Sequence, residues 1–288
     1  MVRRLGTVIG VKLSDSRRVA IKLGSAEEPT DRRRATQQVQ EYLCREGFPC
    51  PRPILGPTPF GSEVAVVEEL VEAGDAPNAH EPEIRRAMAA SLAWQMRITS
   101  AMKPPEELER TRPSWIDLRT SGLWPPPHHP RLDFESIEPT VGWIDQIAAR
   151  AKRVFLERED GRHIIGHSDW EAHNVRCSNG HLMVAYDWDS LAVESELALV
   201  GRAAAVFTAH TDPRFGYAPS AEERWGFIAE FEEAAERRFT GAERVVITAV
   251  SAWATAYEAR LAHAFEPEQG DRPGSFSLAL GELDRELR

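Results

Sequence analysis

From Leu5 to Leu13 and again from Arg18 to Leu23, β-branched or apolar residues alternate with polar ones, and Ser14, Asp15 and Ser16 between them favour a turn. This pattern predicts a β-hairpin. Asp31 to Glu46 is rich in Gln, Glu, Arg and Ala and stops at Gly47, which predicts a helix ended by a glycine; Pro49, Pro51 and Pro53 forbid its continuation. Ser62 to Val71, SEVAVVEELV, reads as a further strand. The small and polar Glu72, Ala73, Gly74 and Asp75 that follow place a lobe boundary, with residues 1–73 before it and 74–288 after it.

Beyond the boundary, Ile84, Met88, Leu92 and Met96 recur every fourth residue beside Ala87, Trp94 and Ile98, the stripe of a core-facing helix. Trp143 to Glu159 and two stretches at 221–238 and 241–265 are patterned for helix without an internal proline. Lys103 to Thr140 differs. Its prolines, with Pro125, Pro126 and Pro127 in a row, predict a mostly irregular stretch, in which Trp115, Trp124, His128 and His129 read as part of a surface loop rather than a lid.

Length and composition narrow the class. The chain has 288 residues, more than one small core needs, and 42% hydrophobic with 28% charged residues is the balance of a soluble globular protein. The 45 acidic against 35 basic residues give a net charge of -10, which repels a phosphate backbone and argues against nucleic acid as a partner. Arg32, Arg33 and Arg34 form a dense basic run that reads as a solvated helix start. Cys44, Cys50 and Cys177 are too few and too scattered for a disulfide framework or a zinc site, which suits a reducing cytoplasm. No window reaches the length of a membrane span, so no membrane partner is expected.

The chemistry concentrates in His167 to Asn174, HSDWEAHN, followed by a turn at Asn179 and Gly180 and a strand, LMVAYDWD, ending in Asp187 and Asp189. Phosphoryl transfer requires a carboxylate within reach of an attacking hydroxyl, and further oxygen ligands that hold a hard divalent cation against the phosphates. A histidine, an aspartate two later and an asparagine five after that reproduce the kinase catalytic-loop pattern. Upstream, Val19, Ala20, Ile21 and Lys22 place an amine on a strand, as required for contact with the α- and β-phosphates. Asp187 and Asp189 alternate on their strand, so only one faces the cleft, and Asp187 is assigned to it. A rival reading makes His167, His173 and His181 a zinc-hydrolase cluster, but no HExxH-type spacing accompanies them. Trp170 and Trp188 read as packing around the loop, and Cys177 as a small buried filler.

Together these residues resemble the aminoglycoside phosphotransferase and choline kinase family, a branch of the protein-kinase-like fold whose members phosphorylate small molecules. HSDWEAHN looks like that family's catalytic loop, and AYDWD like its metal-binding segment, which reads Ile-Asp-Trp-Asp or similar. The resemblance implies an α+β, bilobal protein-kinase-like fold, with a small antiparallel β-sheet lobe shortened at its start and a larger, mainly helical lobe. It implies a phosphotransferase that uses ATP or GTP and an alcohol group as acceptor. In that scheme Asp169 is the catalytic base, Asn174 and Asp187 are Mg2+ ligands, Lys22 is the phosphate lysine, and Glu69 and Val71 offer hinge main-chain groups to the nucleotide base. His167 braces the loop. The implied partner is a small molecule bearing a hydroxyl, an antibiotic or a metabolite.

Two departures from the family's pattern bear on catalysis. Few residues precede Lys22, with Gly6 and Gly10 the glycines among them, so the phosphate-covering hairpin is short. The helix that supplies a glutamate partner to the lysine in the family reads Thr36, Gln37, Gln38 here, with Glu41 the nearest helix carboxylate. Both departures support a second reading, a kinase-fold nucleotide-binding protein with weak or lost catalysis.

Overall fold

Antiparallel pairing builds a four-stranded sheet in the first lobe, in the order β1 (Thr7–Lys12), β2 (Arg18–Ser25), β4 (Glu63–Glu69), β3 (Pro53–Phe60). The structure, a computed structural model, describes residues 7–25, 29–113, 116–126, 134, 141–210, 217–265 and 272–287. Gly6, Trp115, His128 and His129 lie outside the described residues. The β1–β2 hairpin forms where the alternation predicts it, and Lys22 stands on β2 opposite Val66. Pro53 does more than end a helix: with Pro57 and Pro59 it lies in β3, at the sheet's edge. An edge strand tolerates proline, and its register against β4 slips on either side of Leu55.

Helix α1 (Thr30–Arg45) matches its predicted span, and Gly47, at φ 86°, turns the chain so that the Phe48 amide bonds back to the Leu43 carbonyl at 2.9 Å. The basic run at its start is corrected by the structure. Arg32 and Arg33 are buried, and only Arg34 is solvated, paired with Asp31 at 3.0 Å. Arg32 crosses to the second lobe, donating to the Leu191 carbonyl at 2.7 Å, the Asp189 carbonyl at 3.3 Å and the Thr111 carbonyl at 3.1 Å. Carbonyls at the ends of irregular segments lack ladder partners, and a five-donor guanidinium satisfies several at once.

The second lobe contains α2 (Pro82–Thr99), α3 (Glu106–Arg110), α4 (Gly142–Arg158), α5 (Glu196–Val206), α6 (Ala221–Ala234), α7 (Gly241–Phe265) and α8 (Phe276–Glu286). Two small antiparallel ladders sit among them, β5 (His163–His167) with β8 (Leu191–Ser195), and β6 (Val175–Ser178) with β7 (His181–Ala185). Met88, Leu92 and Met96 of the predicted α2 stripe are buried, and α7 packs against both α4 and α5. Every residue of α5 is buried, so it shows no polar face and no amphipathic period in the sequence.

The proline-rich stretch is better anchored than its composition predicts. Trp124 is not on a surface loop: its indole donates to Asp145 at 3.1 Å and its ring packs against Trp253 and Tyr257. Lys152 holds the carbonyls of Thr120 and Gly122 at 2.7 and 2.6 Å. Beyond β4, Gly74 has φ 74° and approaches the Cys177 carbonyl so closely that a Cβ would lie 2.8 Å from that oxygen. The adjacent Asp75 exchanges both main-chain hydrogen bonds with Cys177. Only glycine combines that backbone conformation with that approach.

Candidate active site

The loop HSDWEAHN leaves β5 at His167 and ends in a single 3-10 turn, Ala172–Asn174, that leads into β6. His167 is buried, edge-on to both Trp170 and Trp188. Its Nε2 donates to the Tyr186 carbonyl at 2.8 Å and its Nδ1 accepts from the Asp169 amide at 3.3 Å, which fixes the tautomer. Burial pushes its pKa below the ordinary histidine range, so the ring is a neutral brace between the two segments. The two tryptophans are buried in turn, with indole donors bonded to the Met88 and Ala185 carbonyls.

Asp169 is fixed from two sides. Asn174 Nδ2 donates to its carbonyl at 2.9 Å and to its Oδ2 at 3.3 Å, and Arg202 Nη2 reaches its Oδ1 at 3.3 Å. Burial alone would raise the Asp169 pKa, but the Arg202 guanidinium outweighs it and holds the carboxyl below its usual range. Glu171 beside it is raised well above the ordinary range by burial and by the Asp169 charge. Glu258, on α7, is raised to about 7 by burial, which the nearby Arg202 only partly offsets. Arg202, Glu171 and Glu258 were missed in the sequence. The available signal was a lone cation in the apolar run ELALVGRAAAV, which demands a buried partner.

The segment carrying Asp187 departs from the expected strand. β7 ends at Ala185, Asp187 takes a left-handed conformation at φ 60° and ψ 48°, and Trp188–Ser190 forms a 3-10 turn. Alternation of Asp187 and Asp189 along a strand is therefore corrected: the backbone reverses hand between them. A non-glycine residue in this region is held there by its surroundings. Here the Ser190 amide and hydroxyl both bond the Asp187 carbonyl, at 3.3 and 3.0 Å. Burial, with Asp189 and Asp169 close by, raises the Asp187 pKa to about 7, against the opposing pull of Lys22.

Lys22 reaches this acidic cluster from the first lobe. Its ammonium is 2.8 Å from Glu68 Oε1 and also feels Asp189 and Asp187; burial opposes its charge, but these carboxylates raise its pKa. Glu41 is exposed and Gln37 donates to the Leu55 carbonyl at 3.0 Å. The expected search for a lysine partner among Thr36, Gln37, Gln38 and Glu41 is thus corrected: the carboxylate comes from β4. At the end of β4, the Glu69 amide is bonded to the Arg52 carbonyl at 2.8 Å, and just beyond it the Val71 carbonyl accepts from the Tyr186 hydroxyl at 2.7 Å.

The donor set suits a hard divalent cation. Asn174 turns its amide nitrogen to Asp169, which leaves its carbonyl oxygen as the free ligand type, and Asp187 is a half-buried carboxylate crowded by like charge. The three-histidine cluster does not form: His167 is committed to Tyr186 and Asp169, and His181 is exposed at the β6–β7 turn. Asp169, Glu171 and His173 do converge, with ligand atoms all within 4.8 Å of one another. His173 Nδ1 lies 3.2 Å from Glu171 there. Cys177 is buried, and burial pushes its thiol up to about 11, which removes it as a nucleophile. No described helix is long and apolar enough to cross a membrane.

No protein-family model matches the chain, and no curated protein is similar to it in sequence. Solved structures do match. An amicoumacin kinase in complex with AMP-PNP and Ca2+ superposes with a TM-score of 0.67 at 14% identity, over 100% of this chain and 86% of that one. A thermostable mutant of the aminoglycoside phosphotransferase APH(4)-Ia gives 0.61 at 15% identity, covering 100% and 93%. A Plasmodium vivax ethanolamine kinase gives 0.58 at 13% identity, covering 99% and 80%. The chain therefore has the α+β, bilobal protein-kinase-like fold that these small-molecule kinases share.

Proposed function

We propose that this chain is a small-molecule O-phosphotransferase that moves the γ-phosphoryl group of ATP or GTP to an alcohol. The observation that carries the reading is the loop geometry that sets Asn174 Nδ2 3.3 Å from the Asp169 carboxylate, with the Lys22 ammonium of the first-lobe sheet held at Glu68 near enough to Asp187 and Asp189 for their charge to raise its pKa. Asp169 orients the acceptor hydroxyl and takes its proton. Its depressed pKa keeps it ionised, and Asn174 and Arg202 hold its two oxygens in place. Lys22 contacts the α- and β-phosphates, and the Glu69 carbonyl and Val71 amide, the hinge groups not engaged by Arg52 or Tyr186, serve the nucleotide base. Asn174 and Asp187 would hold Mg2+, which neutralises triphosphate charge when bound. The lobes divide at residues 73 and 74, beside the Gly74–Cys177 approach.

The reading of lost catalysis drew on the short hairpin and on the absent helix glutamate; the Lys22–Glu68 pair at 2.8 Å speaks against the second ground and leaves the first standing. A thermal-shift titration tests the nucleotide site: stabilisation by ATP should require Mg2+ and disappear in Asp187→Asn. Equal stabilisation in that variant would contradict the assignment.

A further inference from the structure

We infer that Glu68, on the hinge strand, is the positioning residue of Lys22, with Gln40 of α1 as its tether. The inference rests on the reading of Lys22 as the phosphate lysine. In the β2–β4 ladder Lys22 faces Val66 and Ala20 faces Glu68, so Lys22 and Glu68 are diagonal neighbours on one face of the sheet. Long side chains reach across such a diagonal. Glu68 is 6% exposed, its Oε1 lies 2.8 Å from the Lys22 ammonium, and its Oε2 accepts from Gln40 Nε2 at 3.2 Å. Gln40 is buried too, and the same amide donates to the Pro51 carbonyl at 2.7 Å, so its orientation is fixed independently of Glu68.

The arrangement inverts the source of the carboxylate. Helix α1 contributes a neutral amide, and the sheet contributes the charge. Lys22 is also drawn towards Asp189 and Asp187. A free ammonium would collapse onto that pair and occupy the carboxylate assigned to the metal; Glu68 holds it back, leaving Asp187 to its ligand role. Because both members of the pair stand on adjacent hydrogen-bonded strands, the orientation of Lys22 is set by strand register and does not require α1 to swing into place.

A double-mutant cycle in the full chain tests this, with Mg2+–ATP affinity measured by isothermal titration and the melting temperature of each variant measured alongside. Lys22→Ala and Glu68→Gln should each weaken binding by roughly tenfold, and the double variant should bind no worse than Lys22→Ala alone, because Glu68 acts through the lysine. Glu68→Asp, which keeps the charge but shortens its reach, takes the place of Glu68→Gln in the same cycle if the glutamine variant fails to fold. Native affinity in the Glu68 variant, or losses that simply add, would overturn the inference. Native affinity in Lys22→Ala would instead sink the underlying reading of the lysine.

Discussion

Tyr186 donates its hydroxyl to the Val71 carbonyl at 2.7 Å, so a side-chain hydrogen bond ties the segment after β4 to the one that ends in Asp187. The Tyr186 amide meanwhile bonds the Asn174 carbonyl at 2.8 Å, and its own carbonyl accepts from His167. One residue thus joins the segment after β4, the loop after β5 and the turn at Asp187. Tyr186→Phe keeps the ring and the main-chain bonds but removes the tie to Val71. It should lower stability by about 1 kcal/mol. Weaker nucleotide binding should accompany the loss, read by thermal shift with and without Mg2+–ATP; unchanged binding would mean that the tie has no part in the cleft.

Arg32 and Arg34 are two residues apart and should behave oppositely. Removing the buried Arg32 strands the carbonyls of Leu191, Asp189 and Thr111, so Arg32→Ala should cost about 2 kcal/mol or more in denaturant unfolding. Arg34→Ala removes an exposed ion pair and should change stability by less than about 0.5 kcal/mol. Equal effects would contradict the buried placement of Arg32.

The contrast shows what the sequence carried. Local patterns were legible: the hairpin around Ser14 to Ser16, the α1 span with its Gly47 stop, and the 241–265 helix lie where alternation and periodicity placed them. So was the spacing from His167 to Asn174, because a loop motif is local. Contacts between distant segments were not. Arg32 looked like a surface charge because burial of a guanidinium depends on carbonyls far along the chain. Glu68 looked like an alternating strand residue because its partner is set by the register of β2 against β4, which no short window encodes. The left-handed turn at Asp187 was hidden for a related reason: aspartate adopts that conformation more readily than most residues but is not bound to it, and the Ser190 bonds to its carbonyl select it here.

Acid should weaken the second lobe through Glu223. Burial would raise its pKa, but His80, 2.7 Å away, and the Ser220 amide and hydroxyl of the α6 capping box outweigh it and lower the value to about 2. A folded-state pKa below the unfolded 4.5 stabilises the protein above about pH 4.5, and that contribution is lost as pH falls towards about 2. Glu223→Gln should therefore melt lower than the native chain at pH 6, and the gap should narrow steadily below pH 4.5. A gap that is constant with pH would assign the effect to packing instead of charge.

The most direct measurement is transfer of the γ-phosphoryl group from labelled ATP, with Mg2+, across a panel of alcohols that includes amine-bearing ones, with the native chain and Asp169→Ala run in parallel. The native chain should yield a labelled phosphate ester of at least one alcohol, and the variant should form it roughly a hundredfold more slowly or worse. Transfer at equal rates by both proteins, or ATP binding by the native chain without transfer to any alcohol, would contradict the phosphotransferase account.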